Sequence, residues 1–189
     1  MDTFRQGGIM DGKSKEVADI IDDIRRVFHV VHEQSKRARQ ETGLTGPQLW
    51  AIKLIGELSP IRVSDLAARM YLHPATVVGI LNRLESQGLI QRTRSDEDRR
   101  VVRIALTDAG KAIVTKAPQV AQGLLVAGLE ILPLKKLNDM SATLNELVQI
   151  LGAQELPPRL ILSPEVNVGK KKSHQRPGLE LNGCRQERA

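Results

Sequence analysis

The chain holds a single cysteine, Cys184, close to its C-terminal end. One thiol excludes an intrachain disulfide framework and a cysteine-rich zinc site. Aromatic residues are nearly as scarce: Phe4, Phe28, Trp50 and Tyr71 are all there are. Modules that bind single-stranded nucleic acid by stacking bases on exposed rings therefore fit poorly. No apolar run approaches the ~20 residues of a membrane span, and no basic segment followed by an apolar one opens the chain. A soluble, cytoplasmic protein without a membrane partner is the expectation. Also missing are a glycine-rich phosphate loop, a nucleophile beside a base and a paired-carboxylate motif. These absences argue against an enzyme, and no cofactor is called for.

What the chain has in quantity is charge. Its 189 residues, enough for one good core with appendages, carry 28 Lys and Arg against 22 Asp and Glu, a net charge of +6. Such a balance suits an anionic partner without naming it. Half of the excess lies in residues 153–189, which hold 7 basic and 4 acidic residues. Local clustering must therefore carry any case for a polyanion. The densest cluster is RTRSDEDRRVVRIALTDAG, from Arg92 to Gly110. It holds five arginines between Arg92 and Arg103, broken by Asp96, Glu97 and Asp98.

Periodicity orders the rest. Residues 1–13 are glycine-rich and aperiodic, which predicts disorder. Val17, Ile20, Ile21, Ile24, Val27, Phe28 and Val31 recur at helical spacing and predict an amphipathic helix from about Ser14 to Glu41. In LTGPQLWAIKLIGEL, Thr45 and Gln48 form a capping box, Pro47 suits a first turn, and Pro60 stops the helix. VSDLAARM reads as a short helix with Ser64 as N-cap. HPATVVGILNRLESQG reads as a fourth, opened near Pro74 and closed at Gly88. LIQRTR and VVRIAL read as strands joined by SDEDRR, with Val102, Ile104 and Leu106 toward the core. Thr107 caps a further helix that Pro118 should kink, and Pro133 opens a last one. Residues 153–189 are aperiodic and expected to be disordered. The chain is thus mainly α with a small β-hairpin: a winged helix-turn-helix over 44–110. It is flanked by an N-terminal helix (14–43) and C-terminal helices (111–152) whose apolar stripes predict dimerization.

The chemistry sits on the fourth helix and the hairpin. Val77, Ile80, Leu81 and Leu84 make one apolar stripe. Ala75, Thr76, Gly79, Asn82, Arg83 and Ser86 lie opposite, with His73 at the leading end. A helix that enters a major groove needs small residues for close approach and a few donors for phosphates and base edges. An ordinary surface helix has a similar pattern, and the helix alone leaves both readings open. Arg99 and Arg100 at the tip of the hairpin suit the negative potential of a minor groove, and Arg92, Arg94 and Arg103 suit phosphates. Asp98 can brace an arginine by a bidentate pair. A solvated loop is sufficient explanation for Asp96 and Glu97.

From Leu44 to Gly110 the sequence resembles the MarR family of bacterial transcription regulators. LTGPQLWAI, VSDLAARM and HPATVVGILNRLESQGLIQR look like its helices leading into the wing. DEDRRVVRIALTDAG matches its wing signature through Asp98, Arg100, Leu106, Thr107 and Gly110. With the flanking helices the resemblance covers about residues 14–152. It implies an obligate homodimer whose terminal helices interlock, placing two winged domains on a palindromic double-stranded operator. It also implies repression or activation, relieved by a small ligand or by oxidation. Val78 and Gly79 depart from the polar or basic residues frequent in relatives. Cys184, in the tail, does not suit thiol sensing. A small aromatic or phenolic effector between winged domain and dimer helices is implied instead, with Arg25 and Trp50 as candidate liners. His29 and His32, beside Glu33, read as surface or interface residues rather than metal ligands. The competing function is a winged helix used only to dock proteins, which would have no need of guanidinium groups at the wing tip.

Overall fold

The computed structural model describes residues 11–94, 102–158 and 160. Expectations for residues 1–10, for the loop 95–101 with Asp98, Arg99 and Arg100, and for the tail beyond 160 lie outside the described residues.

The first helix, α1 (Gly12–Thr42), begins two residues earlier than its apolar pattern suggests. It ends where Gly43 takes a left-handed φ of 73° and donates its N–H to the Arg39 carbonyl, a conformation that glycine adopts without a Cβ penalty. Three ion pairs, Arg25–Asp22, Arg26–Asp23 and Arg37–Glu41, run along its solvent side at helical spacing. Of its residues only Ser35 and Ala38 are buried.

The core forms around α2 (Gly46–Leu58), whose Leu49, Ile52 and Ile55 are fully buried. Gln48 closes its half of the capping box, its Oε1 accepting from the Thr45 N–H at 3.0 Å. Against α2 pack α3 (Val63–Arg69) and α4 (Pro74–Ser86), with Leu66, Val77, Ile80, Leu81 and Leu84 inside. Ser64 is not the N-cap of α3: that place falls to Arg62, because a two-residue strand, β1 (Ile61–Arg62), runs straight into the helix. β1 has no counterpart in the sequence reading, since two residues are too few to show alternation. At the far end of α4, Gly88 (φ 69°) lets its own N–H reach the Glu85 carbonyl and the Leu89 N–H reach that of Leu84. This pair of bonds stops the helix and turns the chain into the sheet.

The sheet is antiparallel, in the order β1-β3-β2, with β2 spanning Ile90–Arg94 and β3 spanning Val102–Leu106. Ile90 faces Leu106, Arg94 faces Val102, and Ile61 faces Ile104. Ile104 and Leu106 are buried and Val102 is half-buried, so the expected inward face is the observed one.

Thr107 then caps α5 (Asp108–Lys116), its Oγ1 accepting from the Gly110 N–H at 3.1 Å and donating to the Gly88 carbonyl at 2.7 Å. Pro118 breaks the helical course rather than kinking it: α5 and α6 (Ala121–Glu130) are separate helices, bent by 74°. The residue before a proline is pushed out of the helical region, and Ala117 is extended at φ −71°, ψ 135°. Last comes α7 (Leu134–Ile150), with Pro133 as N-cap. Neither α6 nor α7 has a buried residue, although Val120 just before α6 is fully enclosed. Beyond α7, Leu160 packs against the core.

Candidate nucleic-acid interface

The α3–turn–α4 unit presents one face of α4 outward. Ala75, Asn82, Arg83 and Ser86 are exposed, Thr76 and Gly79 half-buried, and Val78, with 40% of its surface free, lies among them. His73 stands at the N-cap, its Nδ1 accepting from the Ala75 N–H at 3.3 Å. With Nδ1 as the acceptor, the neutral ring carries its proton on Nε2, which is left to donate outward. The capping role comes first, and it turns the ring back toward the helix end.

Two residues expected to meet DNA separately are joined to each other. Arg92 on β2 donates from Nη2 to Asn82 Oδ1 at 2.8 Å, and its Nη1 lies 3.0 Å from Glu85 Oε2. Arg92 shares the core side of the sheet with Ile90, which aims its stem at α4. Arg94 follows on that side and is exposed. Arg103 lies on the opposite side of the sheet, so the three strand arginines do not form one row. Arg103 is paired in register with Arg62, a residue that the sequence reading missed because only the β1–β3 pairing brings it to the wing. Neither Arg94, Arg103 nor Arg62 holds an ion pair among the described residues. Like charges on facing strand positions repel. The Arg62–Arg103 pair is therefore a local cost that a bound polyanion would relieve.

In the turn between α3 and α4, Tyr71 adopts φ 51°, unusual for a residue with a Cβ. Its hydroxyl donates to Glu130 Oε1 at 2.9 Å, across to the last residue of α6. That hydrogen bond first, and the carboxylate charge second, push the Tyr71 phenol above its ordinary range. The α3–α4 turn is thus tied directly to the end of α6.

Between α1 and α6 runs a groove of about 460 Å³, lined among others by Arg26, Val30, Val31, Gln34, Gln122 and Leu125. Neither candidate ligand residue lines it. Arg25 turns to Asp22 on its own helix, and Trp50 is buried with its indole beside Gly123. Arg26, one residue along, does line it. The side-chain oxygens of Gln34, Ser35 and Gln122, near the same α1–α6 junction, are buried without a partner. Among the described residues no cluster of His, Cys, Asp and Glu suits a metal ion, and His29 and His32 are exposed on α1.

Comparison with known proteins places this unit. The sequence model of the MarR family matches residues 44–102. The transcriptional repressor MdtR of Bacillus subtilis is 30% identical over 101 residues, 53% of this chain and 65% of that protein. The organic hydroperoxide resistance transcriptional regulator of the same organism is 38% identical over 85 residues, 45% of this chain and 58% of that protein. The chain therefore spans about three fifths of the length of these two relatives. A crystal structure of Streptococcus pneumoniae FabT in complex with DNA is 23% identical, covering 73% of this chain and 96% of that one at a TM-score of 0.48. The family match ends at Val102, the first residue of β3, and so spans α2, β1, α3, α4 and β2; this part of the chain, which builds the outward face of α4, is the part that matches the MarR family.

Proposed function

We propose that the chain is a sequence-specific regulator of transcription that binds double-stranded DNA as a homodimer. Its targets are palindromic operators, and it acts as a repressor released by a small ligand. The observation that carries DNA binding is the outward, small-residue face on α4 together with a sheet that bears Arg94 on one side and the Arg62–Arg103 pair on the other, none of them in an ion pair among the described residues. An α-helix fits the major groove, and guanidinium groups on a flanking sheet meet phosphates. Repression follows the named role of the relative MdtR. Dimerization is supported by the exposed apolar side chains of α1, α6 and α7, among them Phe28, Leu125 and Leu144. The groove between α1 and α6 supports an effector with an apolar, aromatic body and an acidic group for Arg26.

Selection of genomic fragments by the purified protein tests the core of this reading. The expected outcome is enrichment of inverted repeats whose half-site centres lie about one helical turn, ~10 base pairs, apart or a multiple of that. Affinity should fall steeply with salt, and Arg103→Ala should lower the salt slope by about one. No enrichment at any site, with the protein folded and dimeric, would favour a protein-docking winged helix.

A further inference from the structure

The contact between Arg92 and Asn82 fixes more than the position of the wing. A guanidinium group has only donors, so it can bond to Asn82 solely through the amide oxygen. The 2.8 Å contact therefore decides which end of the Asn82 amide is which, a choice that heavy-atom positions alone leave open. Arg92 is itself held: Glu85, one turn along α4 from Asn82, takes its other nitrogen at 3.0 Å, and only 27% of the Arg92 side chain is exposed. Asn82 and Glu85 thus form a two-point seat for a strand residue, and the Asn82 NH2 has no hydrogen-bond partner among the described residues. Asparagine reads adenine by using both ends of its amide, accepting from N6 and donating to N7. Here Arg92 takes one of the two lone pairs of the accepting oxygen and holds that oxygen toward β2.

We infer that Asn82 meets DNA as a donor only. Its NH2 bonds an acceptor, either a phosphate oxygen or the acceptor edge of guanine or thymine, and it does not make the two-point contact to adenine. Arg92 is the positioning residue that imposes this, and not itself a phosphate contact. The inference rests on the DNA-binding reading above and narrows it.

The test uses the full-length protein and an operator obtained by selection from random double-stranded DNA. Affinities of the wild type and Asn82→Ala are measured on that operator and on every single base-pair substitution of it. Asn82→Ala should weaken binding by about tenfold. If the loss is the same on every operator, the acceptor is a phosphate; if it is confined to one position, the wild-type preference there is guanine or thymine. A preference for adenine that disappears with Asn82→Ala overturns the inference, and so does unchanged affinity.

The role of Arg92 is read from a double-mutant cycle with Arg92→Met and from Arg92→Lys. In the Arg92→Met background the freed amide rotates, so Asn82→Ala should cost several-fold less. Arg92→Lys, which keeps a donor toward Oδ1, should restore most of the Asn82 effect. Strict additivity of the two substitutions, with both variants folded, would remove Arg92 from this role. If the wild type selects no DNA at all, the DNA-binding reading fails first, and that result is distinct from every outcome above.

Discussion

At Gly110 the backbone of α5 lies directly against the Leu89 carbonyl, and a Cβ placed there would overlap that oxygen. The neighbouring Thr107 bonds in two directions, to the Gly88 carbonyl and from the Gly110 N–H, and the Thr107 N–H itself donates to the Leu89 carbonyl. The Leu-Thr-x-x-Gly close of the wing therefore has a physical meaning. Threonine joins the end of α4 to the start of α5, and glycine lets the two backbones approach. Gly110→Ala must push α5 away from the sheet, and overpacking of this kind costs about 1–3 kcal/mol. Thr107→Ala loses an N-cap worth about 0.5–2 kcal/mol. Because both act on one junction, the double variant should lose less than the two single losses added. Urea denaturation of the four proteins measures all of this, and full additivity would show that the junction is not one unit.

The helices were legible because their apolar residues repeat at one period over several turns: α1, α2 and α4 lie within two or three residues of expectation. The hairpin was legible from its alternation and from the charged loop between the strands. What escaped depends on contacts distant in sequence. β1 exists only because Ile61 and Arg62 meet Ile104 and Arg103, and Arg62 joins the wing on that account. The engagement of Asn82 by Arg92 spans ten positions, and that of Tyr71 by Glu130 spans 59. No local pattern encodes either. The Tyr71 contact links the α3–α4 turn to the end of α6, and it can be observed cleanly because Tyr71 is the only tyrosine in the chain. Its folded value is raised, so the bond favours the neutral phenol. Whatever stability it lends is complete below the ordinary tyrosine value of about 10 and is lost as pH rises through the higher folded value. Following phenolate absorbance against pH should give a midpoint above that of free tyrosine, and Glu130→Gln should bring it down. An identical midpoint in the two proteins would mean that turn and helix are not joined in solution.

Taken as one body, the chain has a well-filled centre and unfinished ends. The side chains enclosed between α2, α3, α4 and the sheet contrast with α6 and α7, which bury nothing, and with α1, where Phe28 is 62% exposed. Apolar exposure on this scale, spread along three helices, is what a second copy would cover in the proposed dimer. Regulation and recognition would then share one mechanical path. Thr107 couples the wing to α5, Tyr71 couples the reading turn to α6, and the groove between α1 and α6 lies where a ligand would alter the spacing of those helices. In the proposed dimer the second half-site would be engaged from an already tethered protein, at an effective concentration of about millimolar, and affinity for the full operator would rise accordingly. Leu144→Lys, on the exposed apolar stripe of α7, separates these contributions, since Leu144 is 58% exposed and α7 makes no extended contact with α4 or the sheet. The substituted protein should sediment as a monomer, retain the Tyr71 titration of the wild type, and lose operator affinity by about 100-fold or more. Its affinity for an isolated half-site should be unchanged. A Leu144→Lys protein that stays dimeric would remove α7 from the interface. A monomer that binds the full operator as tightly as the wild type would show that one winged domain suffices, and the palindromic reading would fall with it.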